Sequence, residues 1–190
     1  MKIKNIAIFA SGSGSNAENI VDYFRDNPWV NISLFLTNNP KAYVKERAKK
    51  LQIPIVEFSR EQFYGSEEIL NILKTYSIDL IVLAGFLWLV PDNLIRAFPN
   101  QIINIHPALL PRYGGKGMYG NRVHEAVKKA GDYETGITIH YVNAQYDQGK
   151  IIFQTTCSLD DSDTPQSIAE KVHDLEYKYF PKVIENLLIS

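Results

Sequence analysis

Apolar and polar positions along this chain follow two alternating rhythms. Residues 4–10, 54–58, 78–84 and 102–106 are short, dense apolar runs of the kind that form buried strands, and 30–37 alternates apolar with polar residues at a period of two. Residues 17–24, 43–51, 59–76, 92–98, 121–130 and 166–188 read as helices, several with apolar residues at helical spacing. Ser59 stands where a helix cap is needed, and Asp163-Thr164-Pro165 puts proline in the first turn of the last helix. Two further strands, 135–142 and 150–156, are separated by a connection short enough to imply antiparallel pairing. Strand and helix in alternation predict an α/β fold. We expect a single domain over 1–190, built on an open, twisted, mostly parallel sheet with an antiparallel margin and helices on both faces.

With 190 residues, 45% of them hydrophobic, the chain is long enough for one substantial core and short for two separate domains. A formal net charge of −1 leaves no global basic field for a polynucleotide or an anionic membrane, so any anionic ligand must be held locally. The longest apolar stretch, 80–90, stops at Pro91, short of the roughly 20 residues a bilayer span needs. The apolar start runs into a glycine-rich turn instead of a cleavage site. These features predict a cytoplasmic protein with no membrane and no nucleic-acid partner. Cys157 is the only cysteine, which excludes an internal disulfide and a cysteine-based metal cluster; following Ile151-Ile152-Phe153, it is expected as a buried strand residue.

Candidate chemistry begins at Ser11-Gly12-Ser13-Gly14-Ser15-Asn16, between the first strand and the first helix. Glycines let a backbone approach a ligand, and the free N–H groups of a helix start attract phosphate. The spacing matches neither the dinucleotide nor the nucleotide-triphosphate pattern, which leaves a monophosphate ester, or simply a tight turn capped by Ser or Asn. In Ile102-Ile103-Asn104-Ile105-His106-Pro107 the strand period puts Asn104 and His106 on one face, and Pro107, which has no N–H, ends the strand there. Open α/β sheets bind ligands at such carboxyl ends. An amide donor holds a developing oxyanion and an imidazole moves a proton near pH 7, a pairing suited to acyl-type transfer. The structural alternative is a loop-capping Asn and a satisfied, half-buried His.

Three further features stand nearby. Arg60 falls near the carboxyl end of the third strand, and Gly85-Phe86-Leu87-Trp88-Leu89-Val90-Pro91 is too apolar for ordinary exposure. That loop either packs inward or lines a site for a flat apolar ligand. Four glycines within 114–120 predict a mobile flap beside His106, the alternative being an uncoupled surface loop. His140 is either a structural strand residue or support for the Asn104–His106 pair; His124 and His173 read as surface or helix residues.

Together, Ser11-Gly12-x-Gly14-Ser15-Asn16, Leu83-Ala84-Gly85-Phe86, Asn104-Ile105-His106-Pro107-x-Leu109-Leu110-Pro111 and Asp147-x-Gly149 make the chain resemble the phosphoribosylglycinamide formyltransferases of purine biosynthesis, over nearly its whole length. The Asn-x-His-Pro element with the downstream Asp and Gly is similar to folate-dependent formyltransferases at large, and Gly14-Ser15-Asn16 resembles the glycinamide branch. The resemblance implies a Rossmann-like formyltransferase fold. It implies an enzyme that moves a formyl group from 10-formyltetrahydrofolate, as cosubstrate, to the amine of 5-phosphoribosylglycinamide, without a metal. On the same basis Asn104, His106 and Asp147 are catalytic, with Asp147 orienting His106 and favouring its protonated form. Gly14, Ser15 and Asn16 are implied at the substrate phosphate, and Glu176 at its ribose hydroxyls. Folate contacts are implied at Arg60, Leu87, Trp88, Leu89, Val90, Asn104 and Val142. Trp88 departs from the arginine of some relatives, and the glycine-rich segment differs from their shorter form, so no single residue is carried over there. The resemblance does not fix an oligomeric state.

Methionyl-tRNA formyltransferases share the Asn-x-His-Pro element but carry an additional C-terminal tRNA-binding domain, and formyltetrahydrofolate hydrolases an additional N-terminal one. The chain resembles both less. From another class, the alternative is a non-catalytic folate or sugar-phosphate binding module in which Asn104 and His106 are spectators.

Overall fold

From Ile6 to Ala10 no residue exceeds 1% exposure, and the strand that carries most of them, β1 (Lys4–Phe9), has parallel partners on both sides. A strand covered this way has no solvent face, hence the unbroken apolar run in its sequence. The structure, a computed structural model, describes residues 2–189. On one side of β1 lies β2 (Val30–Thr37), with Ile8 opposite Phe35; on the other lies β4 (Leu80–Leu83), with Ile8 opposite Val82. β3 (Ile55–Glu57) pairs in parallel with β2. Ser33 is bulged out of the β1–β2 register, and its hydroxyl donates to Asn5 Oδ1 at 3.1 Å.

The helices of this part are α1 (Ser15–Phe24), α2 (Val44–Leu51), α3 (Arg60–Tyr64), α4 (Glu68–Thr75) and α5 (Asp92–Ala97). The helix expected over 59–76 is therefore two. Gly65 N–H closes α3 on the Glu61 carbonyl at 2.7 Å, while the Ser66 hydroxyl donates to Gln62 O and accepts from Glu68 N–H. One serine side chain thus satisfies backbone groups on both sides of the break, which makes the interruption cheap. Ser59 caps α3 as expected, in a reciprocal box with Gln62.

The chain forms two compact units, Met1–Ile103 and Asn104–Ser190, so the division falls inside β5 (Ile102–His106). In the second unit β6 (Glu134–Tyr141) and β7 (Ile151–Ser158) run antiparallel, with Ile137 opposite Thr155. α6 (Asn121–Ala130) and α7 (Pro165–Ile189) pack on each other, and α7 also packs on β6. Val123, Val127, Ile137, Ile168, Phe180 and Ile184 are all fully buried there. α7 opens on a reciprocal pair in which Ser167 N–H donates to Thr164 Oγ1 and Thr164 N–H donates to Ser167 Oγ. The strand order is β3-β2-β1-β4-β5-β6-β7, a parallel body with an antiparallel margin, as expected. β7 is an edge, and Cys157 on it is half-buried rather than buried, since an edge strand keeps more solvent contact than an interior one. Among the described residues no helix is long and apolar enough to cross a membrane.

Candidate active site

Alternation along β5 sends Ile103 and Ile105, 0% and 6% exposed, to one face, and Asn104 and His106 to the other. His106 is 3% exposed and its ring is satisfied from the chain that follows: Nε2–H donates to the Tyr113 carbonyl at 2.7 Å. Tyr113 holds a left-handed backbone, φ +55, and its hydroxyl is tied to Asp132 Oδ2 at 2.7 Å beside the Arg112–Asp132 ion pair. That anchor keeps the carbonyl aimed at the imidazole.

Asp147 completes the cluster from the connection between β6 and β7. Its Oδ2 accepts from Gly115 N–H at 2.9 Å and lies 3.6 Å from His106 Nδ1. Its Oδ1 lies 3.5 Å from Asn104 Nδ2 and 3.7 Å from His140 Nε2. The connection can return this way because Asp147 adopts φ +55, which Asp tolerates, and because position 149 is glycine: a Cβ there would overlap the Tyr141 carbonyl oxygen. The Asp147-x-Gly149 spacing thus has a steric cause. His140 stands between: Nδ1–H donates to Tyr141 O at 2.9 Å, so Nε2 accepts from Asn104 Nδ2 at 3.0 Å. Of the two readings of His140, the structure gives support of Asn104.

Burial pushes the His106 imidazole below the usual range, and this outweighs the raising effects of Asp147 and the Tyr113 carbonyl. The expectation that Asp147 favours protonated His106 holds for the direction of Asp147's own influence but not for the balance, because desolvation of a nearly enclosed ring is the larger effect. Asp147 shows the opposite outcome. Burial pushes its carboxyl up, but its neighbours His140, His106 and the Gly115 N–H together leave it below the ordinary range. The resting pair is therefore a neutral imidazole beside a carboxylate, with the free Nδ1 turned toward that carboxylate.

Elsewhere in the second unit, Glu176 on α7 is 5% exposed and accepts from His173 Nδ1 at 2.8 Å, while Val142 is half-buried just past β6. His173 is exposed, but His124 is not a surface residue: it is 5% exposed on the inward face of α6, beside Val123, and its Nδ1 has no partner. The glycine-rich segment is pinned at its base by Tyr113 and Gly115, whereas Lys116, Tyr119 and Gly120 are exposed. Tyr113 and Gly115 are site groups that the sequence did not point to. They act through main-chain atoms, and the run of glycines was the only signal.

In the first unit, Gly14 takes φ +72 ahead of α1, and no side chain caps that helix, contrary to a Ser or Asn cap. A Cβ at Gly14 would overlap the Val44 side chain, so α2 and the turn meet there without room for any other residue. Arg47 of α2 adds a bond to the Ser13 carbonyl at 2.8 Å and an ion pair with Glu18. Ser15 is half-buried and Asn16 buried at the start of α1. In the 85–91 loop, Phe86 and Val90 turn inward, Trp88 and Leu89 are half-buried, and Leu87 is 43% exposed with its N–H on Ser11 Oγ at 3.0 Å. The inward-packing reading of that loop holds for Phe86 and Val90. Arg60 lies over the rings of Tyr64 and Trp88.

Residues 4–184 match the formyl transferase family. The chain is 39% identical over 188 residues to the chloroplastic phosphoribosylglycinamide formyltransferase of Arabidopsis thaliana, spanning 95% of this chain but only 64% of that protein. It is 38% identical over 191 residues to the phosphoribosylglycinamide formyltransferase of Bacillus subtilis, spanning 98% and 95% of the two chains. Among solved structures, the phosphoribosylglycinamide formyltransferase of Bacillus halodurans superposes with a TM-score of 0.86 at 36% identity, covering 97% and 95% of the chains. The glycinamide ribonucleotide transformylase 1 of Geobacillus kaustophilus does so with 0.87 at 35%, covering 98% and 99%.

Proposed function

The chain belongs to the formyl transferase family, and on that footing we propose that it transfers the formyl group of 10-formyltetrahydrofolate to the amine of 5-phosphoribosylglycinamide, acting as a single catalytic domain on two small molecules. The observation that carries this reading is the convergence of Asn104, His106 and Asp147, a carbonyl-stabilising donor and a proton carrier on one strand face with a carboxylate 3.6 Å from the imidazole.

The amine attacks the formyl carbon, and the carbonyl oxygen becomes an oxyanion that Asn104 Nδ2–H stabilises. The attacking nitrogen gains positive charge and gives up a proton; the leaving nitrogen needs one. A neutral His106 accepts the first proton at Nδ1, where Asp147 turns the 3.6 Å approach into an ion pair, and returns it to the leaving nitrogen as the carbon–nitrogen bond breaks. Proton count and charge close over the cycle. The lowered basicity of His106 suits this exchange, because a buried imidazolium is quick to release its proton.

Gly14, Ser15 and Asn16 are assigned to the substrate phosphate and Glu176 to the ribose hydroxyls. Arg60, Leu87, Trp88, Leu89, Val90, Asn104 and Val142 are assigned to the folate. The glycine-led start of α1 supports the first assignment, since Gly14 at the cap has no side chain to stand between a phosphate and the helix start. The test offers the purified protein labelled formyl donor with three acceptors: 5-phosphoribosylglycinamide, charged tRNA and water. Label is expected in the glycinamide product; label appearing only in the tRNA or as free formate overturns the reading.

A further inference from the structure

β1 ends at Phe9, but its hydrogen bonding runs on. Ala10 N–H donates to the Leu36 carbonyl on one side at 3.0 Å; on the other, Ala84 N–H donates to the Phe9 carbonyl at 2.9 Å and Ser11 N–H to the Gly85 carbonyl at 3.0 Å. At Ser11 the chain leaves the sheet, and the side chain takes over. Its hydroxyl donates to Asn38 Oδ1 at 2.7 Å and accepts from Leu87 N–H at 3.0 Å, while its carbonyl accepts from Asn39 Nδ2 at 3.0 Å. Ser11 is 6% exposed, and its N–H, hydroxyl and carbonyl are all bonded. It is the joint of three loops at the carboxyl ends of β1, β2 and β4: the glycine turn it opens, residues 38–39, and residues 85–91.

Gly85 takes φ +74 and bends the last of these loops away from β4, with open space where a side chain would stand. Beyond that bend Leu87 is 43% exposed, so its main chain is held here by hydrogen bonding more than by burial. The Ser11 hydroxyl supplies that bond. Asn38 Oδ1 can only accept, so it takes the hydroxyl proton and leaves the lone pairs of Ser11 for Leu87 N–H. One hydroxyl thus fixes where the 85–91 loop stands relative to the start of the glycine turn.

We propose that Ser11 is a positioning residue whose hydroxyl holds the donor loop and the acceptor turn at one spacing, so that the amine of the bound acceptor meets the formyl carbon of the bound donor. This rests on the two-substrate reading of the preceding section, in which 14–16 take the phosphate and 87–90 the folate. Ser11 contributes to neither affinity by itself. It acts on the step that needs both ligands at once, where a misplacement of about 1 Å costs on the order of 10²-fold.

The test separates spacing from binding. A non-reactive folate analogue, 5-phosphoribosylglycinamide, and a bisubstrate analogue that joins the two through a short linker are each titrated by calorimetry. The linked ligand reaches its full affinity only when the spacing of the two subsites matches its linker, and wild type is expected to bind it more tightly than either part. Ser11→Ala should hold each part within about 2-fold and weaken the linked ligand about 10-fold or more. In turnover, kcat should fall about 10- to 100-fold while both KM values hold. Asn38→Ala leaves the hydroxyl in place but frees its orientation; it should show the same pattern at smaller size, and it decides the matter if Ser11→Ala does not fold. The double variant should be no worse than Ser11→Ala alone, since both changes act through one hydroxyl. Equal losses for all three ligands, additive losses in the double variant, or unchanged affinity for the linked ligand overturn the proposal. Wild type that binds neither part would overturn the two-substrate reading itself, a result distinct from these.

Discussion

Asn104 Nδ2 donates to His140 Nε2 at 3.0 Å, and His140 Nδ1–H is in turn committed to the Tyr141 carbonyl at 2.9 Å. The second bond fixes the tautomer of His140 and the first fixes which way round the Asn104 amide sits, with its NH₂ toward Asp147, an acceptor-only group. One N–H is committed to His140, and the other, 3.5 Å from Asp147, is the donor that an oxyanion would take over, oriented before any substrate arrives.

Asn104→Ala should lower turnover on the order of 10²–10³-fold, the loss expected for one oxyanion donor, with a melting point near that of wild type because Asn104 is only half-buried. For His106, enclosed at 3% exposure, glutamine is a cleaner change than alanine: it fills the space and keeps a donor for the Tyr113 carbonyl. Single-turnover rates on folded protein decide it. Near-normal rates in either variant would deny that residue its role.

Asp147→Asn keeps the shape and removes the charge. Asp147 raises the basicity of His106, while burial lowers it by more. Taking away the raising influence moves the His106 pKa further down. Activity that needs neutral His106 as the base rises with pH through that pKa, so the acidic limb of the pH–rate profile should shift to lower pH while the plateau falls. An unmoved limb would make Asp147 a turn residue only.

Gly14→Ala is expected to lower the melting point, since it adds a Cβ into Val44 at a backbone angle of +72° that alanine resists. Gly12→Ala, where nothing lies within 4 Å, should leave it unchanged. Thermal melts of the two variants side by side check this. Gly14 is therefore a poor probe of phosphate binding, as any loss of affinity there would be mixed with loss of fold.

Much of the fold was legible because the strand period survives in the sequence, in the unbroken run of 4–10 and the alternation of 30–37. The helix break at 65–67 was not, since apolar positions resume at Ile69 and Leu70 after a gap short enough to be one polar turn, and the hydrogen bonds of Ser66 are visible only in three dimensions. Asn104, His106 and Asp147 announced themselves as side chains at fixed spacings. The balance of His106's basicity did not, because burial sums over the whole surrounding fold while a neighbouring charge can be read from a motif. His124 lies on a helix, as one of its two readings had it, but its burial was not legible for a related reason: a polar residue next to Val123 on a largely polar helix carries no sign of facing inward.

His124→Leu should make the protein less sensitive to acid. Burial holds the His124 pKa below its ordinary value, so between about 6.5 and the folded pKa the unfolded chain binds a proton that the folded one does not. Stability from that difference is present above the unfolded pKa and falls as pH drops toward the folded one. Leucine removes both this slope and the unpartnered Nδ1, so stability at pH 7 should hold or rise by about 1 kcal/mol. Urea melts at pH 5 and pH 7.5 compare the two proteins. A steeper acid loss in the variant would contradict the assignment.

The groups of 113–115 that touch His106 and Asp147 are a carbonyl and an N–H, and every amino acid but proline supplies both. Part of the site is therefore written in main chain, and a substitution there acts through backbone shape instead of a lost functional group: Gly115 holds φ +96 and a Cβ at Gly114 would meet Leu110. An ester in place of the Gly115 amide, or proline at that position, is the kind of change that would make this part of the site visible.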